Sequence, residues 1–188
     1  MSFFETVELA QVPNQPWRNG GGLTREMLVW PDPYDWKLRV SVARIDESGA
    51  FSSFWEIDRW IALIDGAGIC LYLPRGEKTI VKGDAPLFFE GEAAPHCTLL
   101  EGPTLDLNLM VRRGAGTSQM AVARRGSALE SRTMWRGLFT AGEVLLEIEG
   151  VDHPLHPGTL VWSDRQDGVA WRIHERSLGL AWWMWLET

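Results

Sequence analysis

The chain consists of short apolar runs separated by Gly, Pro and Asp, and those runs recur at a fixed interval. Ile69-Cys70-Leu71 precedes Val144-Leu145-Leu146 by 75 positions, Gly83 precedes Gly158 by 75, and residues 105–111 precede 180–186 by 75. Few identities accompany the match; the apolar pattern and the glycine placement carry it. A constant offset held to the end of the chain implies two related units packed together. Helical periodicity is scarce, and runs this short between turn residues read as strands. Strands are predicted over 24–29, 36–45, 60–64, 69–73, 79–81, 86–89, 98–100 and 105–112. A second series covers 138–140, 144–149, 153–155, 159–162, 169–173 and 178–186. The expected fold is all-β: a double-layer jelly roll or barrel built from two β-units. Residues 1–188 read as one compact domain. The first unit spans about 14–113 and the second about 132–188. Between them, 114–131 is a Gly/Ser/Arg-rich connector in which nothing demands a helix.

With 188 residues the chain is long enough for one domain with a full core and short for two. Apolar content of 45% beside 23% charged residues is that of a folded soluble protein. No apolar run approaches the ~18 residues that span a bilayer, and the first residues lack the pattern of a secretory signal. A cytoplasmic location, with no membrane partner, is expected. The net charge of −7, with arginines clustered no further than Arg112-Arg113 and Arg124-Arg125, disfavours nucleic acid. Cys70 and Cys97 form no CxxC and read as buried free thiols of a reducing compartment. Eleven tryptophans, three of them at Trp182, Trp183 and Trp185, suggest an aromatic-lined interior or an interface, which leaves a homodimer open.

Near the start stands "PWRNGGGLTRE". Gly20, Gly21 and Gly22 permit positive φ and close backbone approach, and exposed N–H groups of such a segment can cradle an anion. Arg18 adds a planar fork suited to carboxylate, and Asn19 can donate and accept. No Gly-Lys-Ser/Thr follows, and the glycines precede a strand, so this is not a nucleotide phosphate loop. Two readings stay open: a tight turn with Trp17 plugging one end of the sheet, or the mouth of a ligand pocket. Along 36–42, Trp36, Leu38, Val40 and Val42 share one face, and Lys37, Arg39 and Ser41 the other. Thr24 and Glu26 likewise point together. Such a polar face is either the solvated outside of a sheet or the lining of a cavity.

"GAFSSFWEIDRWIALIDGAG" has the layout of the first cupin motif and "KTIVKGDAPLFF" that of the second, but the ligand positions hold other residues. The motif's glutamate falls on Arg59, its histidines near Ser53 and Trp55, and the last ligand on Pro86, or on Val161 in the second unit. None of these binds zinc, iron or manganese. His96 stands alone, and His153, His156 and His174 do not form a set. No metal and no cofactor are expected. There is no GxSxG nucleophile elbow, and no carboxylate pair stands out as acid and base. Nothing positive marks an enzyme, and catalytic residues stay unassigned.

"PWRNGGGLTREM", "WKLRVSVARIDESGAFSSFWEIDRWIALIDGAGICL" and "LEGPTLDLNLMVRRG", in this order, resemble the HutD/Ves family of cupin-like proteins over roughly 10–186. The resemblance implies a bicupin-like (RmlC-like) double-stranded β fold with no assigned catalytic activity. For some members it implies a role in histidine utilisation, sensing an intermediate such as formylglutamate or urocanate; other members are linked to stress response. Carried over, the motif positions are Trp17, Arg18, Asn19, Gly20, Gly21, Gly22, Thr24 and Glu26, then Arg39 and Ser41. Phe51, Ser52, Asp58 and Arg59 follow, then Asp106, Asn108 and Arg112. "FWEIDR" departs from the family's usual Phe-Pro-Gly turn before Asp58-Arg59. The leading expectation is a metal-free binder of a small carboxylate or amide metabolite with a regulatory role, with His96 added to the candidate site. Arg18 and Arg39 would hold the carboxylate, Asn19 and Asn108 an amide or formyl group, and Trp17 and Phe51 the walls. Two alternatives remain: a metal-independent isomerase or lyase using Glu26 or His96 as base, and a partner-binding protein with its interface at Trp182–Trp185.

Overall fold

A computed structural model describes residues 4–130 and 133–188. Apart from two short 3-10 turns, the regular structure of the described residues is entirely β. No helix among them is long and apolar enough to cross a membrane. The chain divides into two compact units, Val12–Ala115 and a second made of the residues up to Gln11 together with Gly116–Thr188.

The Val12–Ala115 unit has two antiparallel sheets. The larger runs, in spatial order, Gln15–Pro16, Gly22–Trp30, Leu38–Ile45, Thr104–Arg112, Ile57–Asp65, Leu87–Glu90. The smaller runs Gly49–Ala50, His96–Leu99, Ile69–Leu73, Gly76–Ile80. Alternation decides which side chains meet between them. Ile45, Ile61 and Leu63 of the larger sheet pack against Ile69, Leu71 and Cys97 of the smaller. Each fully buried Ile or Leu there contributes roughly 1.5–3 kcal/mol. The opposite face of the larger sheet, carrying Leu38, Val40, Val42, Leu107 and Leu109, is buried as well.

The second unit repeats this plan. One sheet is ordered Glu5–Glu8, Thr159–Ser163, Trp135–Thr140, Ala181–Glu187, Thr117–Val122, and the other Ala128–Leu129, Trp171–Ile173, Val144–Ile148, Val151–Leu155. The predicted repeat is visible in the ladders: Ile69 faces Ile80 in one hairpin, and Val144 faces Leu155 in the other, 75 positions on. Gly83 and Gly158 both turn the chain with positive φ, 93° and 83°. None of the four sheets closes into a ring among the described residues, so each unit is a jelly-roll sandwich with open edges.

Two expectations need correction. The segment 114–131 is not a plain connector: it carries Thr117–Val122 and Ala128–Leu129. Among the described residues Thr117–Val122 pairs only with Ala181–Glu187 and so forms a sheet edge, where a strand needs no strongly apolar pattern. The predicted end of the connector and start of the second unit, residues 131 and 132, lie outside the described residues. Trp182 and Trp183 are buried within the chain itself. Trp183 joins the core of the second unit and donates from Nε1 to Ser127 Oγ at 3.0 Å. Beside it in that unit, fully buried Arg136 stacks on Trp171 at 4.5 Å, pairs with Asp167 at 3.1 Å and donates to the Val169 carbonyl.

Candidate functional site

The larger sheet of the Val12–Ala115 unit forms the floor of a cavity of about 730 Å³. Its central three strands place side chains in rows across the sheet. Arg39, Met110 and Arg59 stand in one row, and Ser41, Asn108 and Ile61 in the next. All six line the cavity. Ala43, Asp106 and Leu63 form the third row. The polar face predicted for Arg39 and Ser41 is therefore a cavity floor.

Arg59 dominates the electrostatics. It is 7% exposed, and its Nη2 donates to Asn108 Oδ1 at 3.2 Å. Its guanidinium centre lies 4.9 Å from the Phe89 ring, 5.2 Å from Phe51 and 5.5 Å from Phe54. Such contacts with ring faces stabilise a cation but do not neutralise it. Among the described residues Nε has no hydrogen-bond partner, and no carboxylate pairs with Arg59. Burial pulls its pKa down to about 10, which leaves it charged at neutral pH. Arg39 differs. It is ion-paired with Glu26 on the adjacent strand and lies 5.5 Å from the Trp36 ring, with its Nε unpartnered among the described residues. Arg18 lines the mouth, exposed and in no ion pair among the described residues.

The glycines make the mouth by making a turn. Gly20 has φ 74°, and a Cβ on Gly22 would sit 2.3 Å from the Arg44 carbonyl and 3.1 Å from the Trp17 ring. Trp17 N donates to the Gly22 carbonyl at 2.9 Å, and Asn19 Oδ1 accepts from Gly21 N at 3.1 Å. Folded back in this way, Trp17 donates from Nε1 to Thr24 Oγ1 at 2.8 Å. Trp17, Arg18, Asn19 and Thr24 line the cavity; Gly20 and Gly22 only shape the turn. The tight turn thus lies at the mouth of the cavity.

The opposite wall comes from the segment after Ala50. Phe51, Ser52 and Phe54 line the cavity. Phe51 N donates to the Pro95 carbonyl at 2.9 Å and Phe54 N to the Gly91 carbonyl at 3.0 Å. A surface clamp closes the segment. Arg113 grips Glu92 with Nη1 and Nη2 at 2.9 and 3.0 Å and reaches Asp58 with Nε at 3.2 Å. Glu92 Oε1 accepts from Glu56 N at 2.8 Å, and the Glu56 carbonyl accepts from Arg113 N at 2.7 Å. Glu56 itself is held left-handed, at φ 57°.

The remaining candidates fall elsewhere. Asp58 belongs to this clamp and does not line the cavity. Glu26 is engaged by Arg39, and Arg112 pairs with Asp35 at 3.1 Å. His96 is exposed on the smaller sheet, 6.2 Å from the Tyr72 ring. Asp106 is fully buried: one carboxyl oxygen accepts from Thr104 Oγ1 at 2.8 Å and the other has no partner among the described residues. Burial lifts its pKa to about 7. Sequence reading missed Ala43, Ile45, Ile61 and Met110, although each stands two or four places from an identified lining residue on the same strand. Gln15, Pro16, Ala50 and Phe54 also line the cavity, and no periodic signal marks them. A cupin metal does not fit here. Among the described residues the polar lining of the cavity is arginine, amide and hydroxyl groups without imidazole, thiolate or carboxylate, and no cluster of three such ligands occurs.

Two jelly-roll sandwiches, one with a cavity on its larger sheet, define a cupin-like protein. The chain matches HutD over residues 9–180 and belongs to that family. It is 34% identical to Protein Ves of Cronobacter sakazakii over 66% of this chain and 68% of that one. It is 35% identical to an uncharacterised 21.2 kDa protein in the hutC 3′ region of Pseudomonas putida, over 58% of this chain and 59% of that one. The solved structure of HutD from Pseudomonas fluorescens SBW25 superposes with a TM-score of 0.84 at 23% identity, covering 98% of both chains.

Proposed function

We propose that the chain is a cytoplasmic, metal-free binding protein that senses a small carboxylate metabolite in the Val12–Ala115 cavity and regulates histidine utilisation. The observation that carries this reading is Arg59, a buried cation with an unused Nε and, among the described residues, no carboxylate to neutralise it. Leaving such a charge without a counter-ion costs several kcal/mol, and a ligand carboxylate would offset that cost with charge-assisted hydrogen bonds. Arg39 already has Glu26, so Arg59 rather than Arg39 is the main anchor, with Arg18 at the mouth. Asn108 Nδ2, with only a 3.4 Å contact to the Asp106 carbonyl, is free to turn towards an amide or formyl oxygen. The P. putida relative's place beside hutC supports the pathway.

Titration calorimetry with formylglutamate and urocanate, each against its uncharged amide, tests the reading. The acids bind and the amides do not. Arg59→Met weakens the acids about 100-fold, the scale set by one charge-assisted, hydrogen-bonded ion pair, while the urea midpoint stays level or rises. A purely structural arginine would give the reverse, unchanged binding and a lowered midpoint. Sensing further requires that the acid be recovered unaltered after long incubation. Conversion to product would favour the isomerase or lyase alternative.

A further inference from the structure

Beside the main cavity lies a second hollow of about 210 Å³, and the two share Trp17, Asn19, Ile45, Ala50 and Phe51 as common walls. Their charges are segregated. The large chamber is lined by Arg18, Arg39 and Arg59 and, among the described residues, by no acidic residue. The small one is lined by Glu47 and, among the described residues, by no basic residue. Glu47 takes part in no ion pair among the described residues, although the neighbouring Asp46 is satisfied by Arg44 at 2.8 Å. Its backbone N donates to the Gly21 carbonyl at 3.2 Å, which fixes the Glu47 segment against the glycine turn. Ser48 Oγ is already used, accepting from Leu99 N at 2.9 Å. The carboxylate of Glu47 is therefore the strongest free acceptor of the small chamber. A cationic pocket and an anionic one that share Trp17 and Phe51 in their lining match, by charge, the two ends of one elongated molecule.

We infer that the small chamber is a second subsite, which takes the protonated amine, or a similar cationic nitrogen, of a ligand whose carboxylate sits at Arg59. The inference rests on the carboxylate reading above and, of the two acids named there, favours urocanate, whose imidazole can carry a positive charge, over formylglutamate, whose formylated nitrogen cannot. Attraction between opposite charges across a partly enclosed hollow favours such a ligand over the plain acid of equal length, and the gain depends on reach.

Calorimetry on the full chain with two matched series tests it: butanoate, pentanoate and hexanoate against 4-aminobutanoate, 5-aminopentanoate and 6-aminohexanoate. At the length that spans the chambers, the amino acid binds at least ten times more tightly than its parent acid, and in Glu47→Gln that ratio falls to about one. The inference is overturned if the parent acids match the amino acids at every length, or if the preference survives in Glu47→Gln. If neither series binds at all, the carboxylate reading fails first and the subsite with it. Arg59→Met separates the two levels, since it weakens both series whichever way the ratio turns out.

Discussion

Arg59 and Asp106 stand in the same wall of the Val12–Ala115 unit, and burial acts on them in opposite senses. It leaves the guanidinium charged but drives the carboxyl towards its neutral form, with a pKa of about 7 against an ordinary 3.8. For an acid raised in this way, the folded state holds the proton more tightly than the unfolded chain. The associated stability is complete below about pH 4 and disappears as pH rises through about 7. Between pH 5 and 8 this loss amounts to about 2–3 kcal/mol. Urea unfolding at both pH values should therefore show a steeper decline for the native chain than for Asp106→Asn, whose amide oxygen still accepts from Thr104. Equal declines would mean that Asp106 is ionised in the folded protein. Nothing in "GPTLDLNL" forecasts this, because proton affinity depends on the burial that the finished sandwich imposes. Arg39 and Ser41 were legible, since strand alternation alone separates them from Leu38, Val40 and Val42. Arg59 entered only through the family motif, and its lack of a counter-ion among the described residues is a three-dimensional fact.

The segment between Gly49–Ala50 and Ile57–Asp65 turns a sheet surface into a cavity, and it does so without regular structure. Backbone bonds at Phe51 and Phe54 and the Arg113–Glu92–Asp58 clamp hold it in place. Hydrogen bonds from Arg113 hold the Glu92 carboxyl down at about 2, so the clamp stays charged at ordinary pH. Breaking it with Arg113→Met should speed hydrogen exchange at Phe51 and Phe54 and weaken carboxylate binding several-fold, since both rings pack on Arg59. The global unfolding midpoint should hardly move, because the clamp is solvent-exposed. Unchanged exchange would show that the backbone bonds alone fix the segment. Sequence could not reveal this device, whose partners lie 21 to 55 positions apart. It did reveal most strands, because the central ones alternate cleanly. It missed Glu5–Glu8 and Thr117–Val122, which are edge strands paired on one side, where a weaker pattern suffices.

At the scale of the whole molecule, the 75-residue repeat gives two similar frames with different interiors. Where the first unit presents Asn108 to its cavity, the second carries Trp183 at the corresponding position, 75 residues on, buried in its core. Arg136 stacked on Trp171 adds further filling. Calorimetry should accordingly return one carboxylate site per chain; a stoichiometry near two would contradict the packing of the second interior. The frames also differ in how the chain assembles them. Val12–Ala115 is continuous, whereas the other unit borrows Glu5–Glu8, whose Glu8 carboxylate meets Thr159 across 151 positions of sequence. During synthesis that early strand stays unpaired until its mate leaves the ribosome. Slow closure of so long a loop makes the amino-terminal arm the seam where a half-made chain is most open to proteases and to strand exchange with another copy.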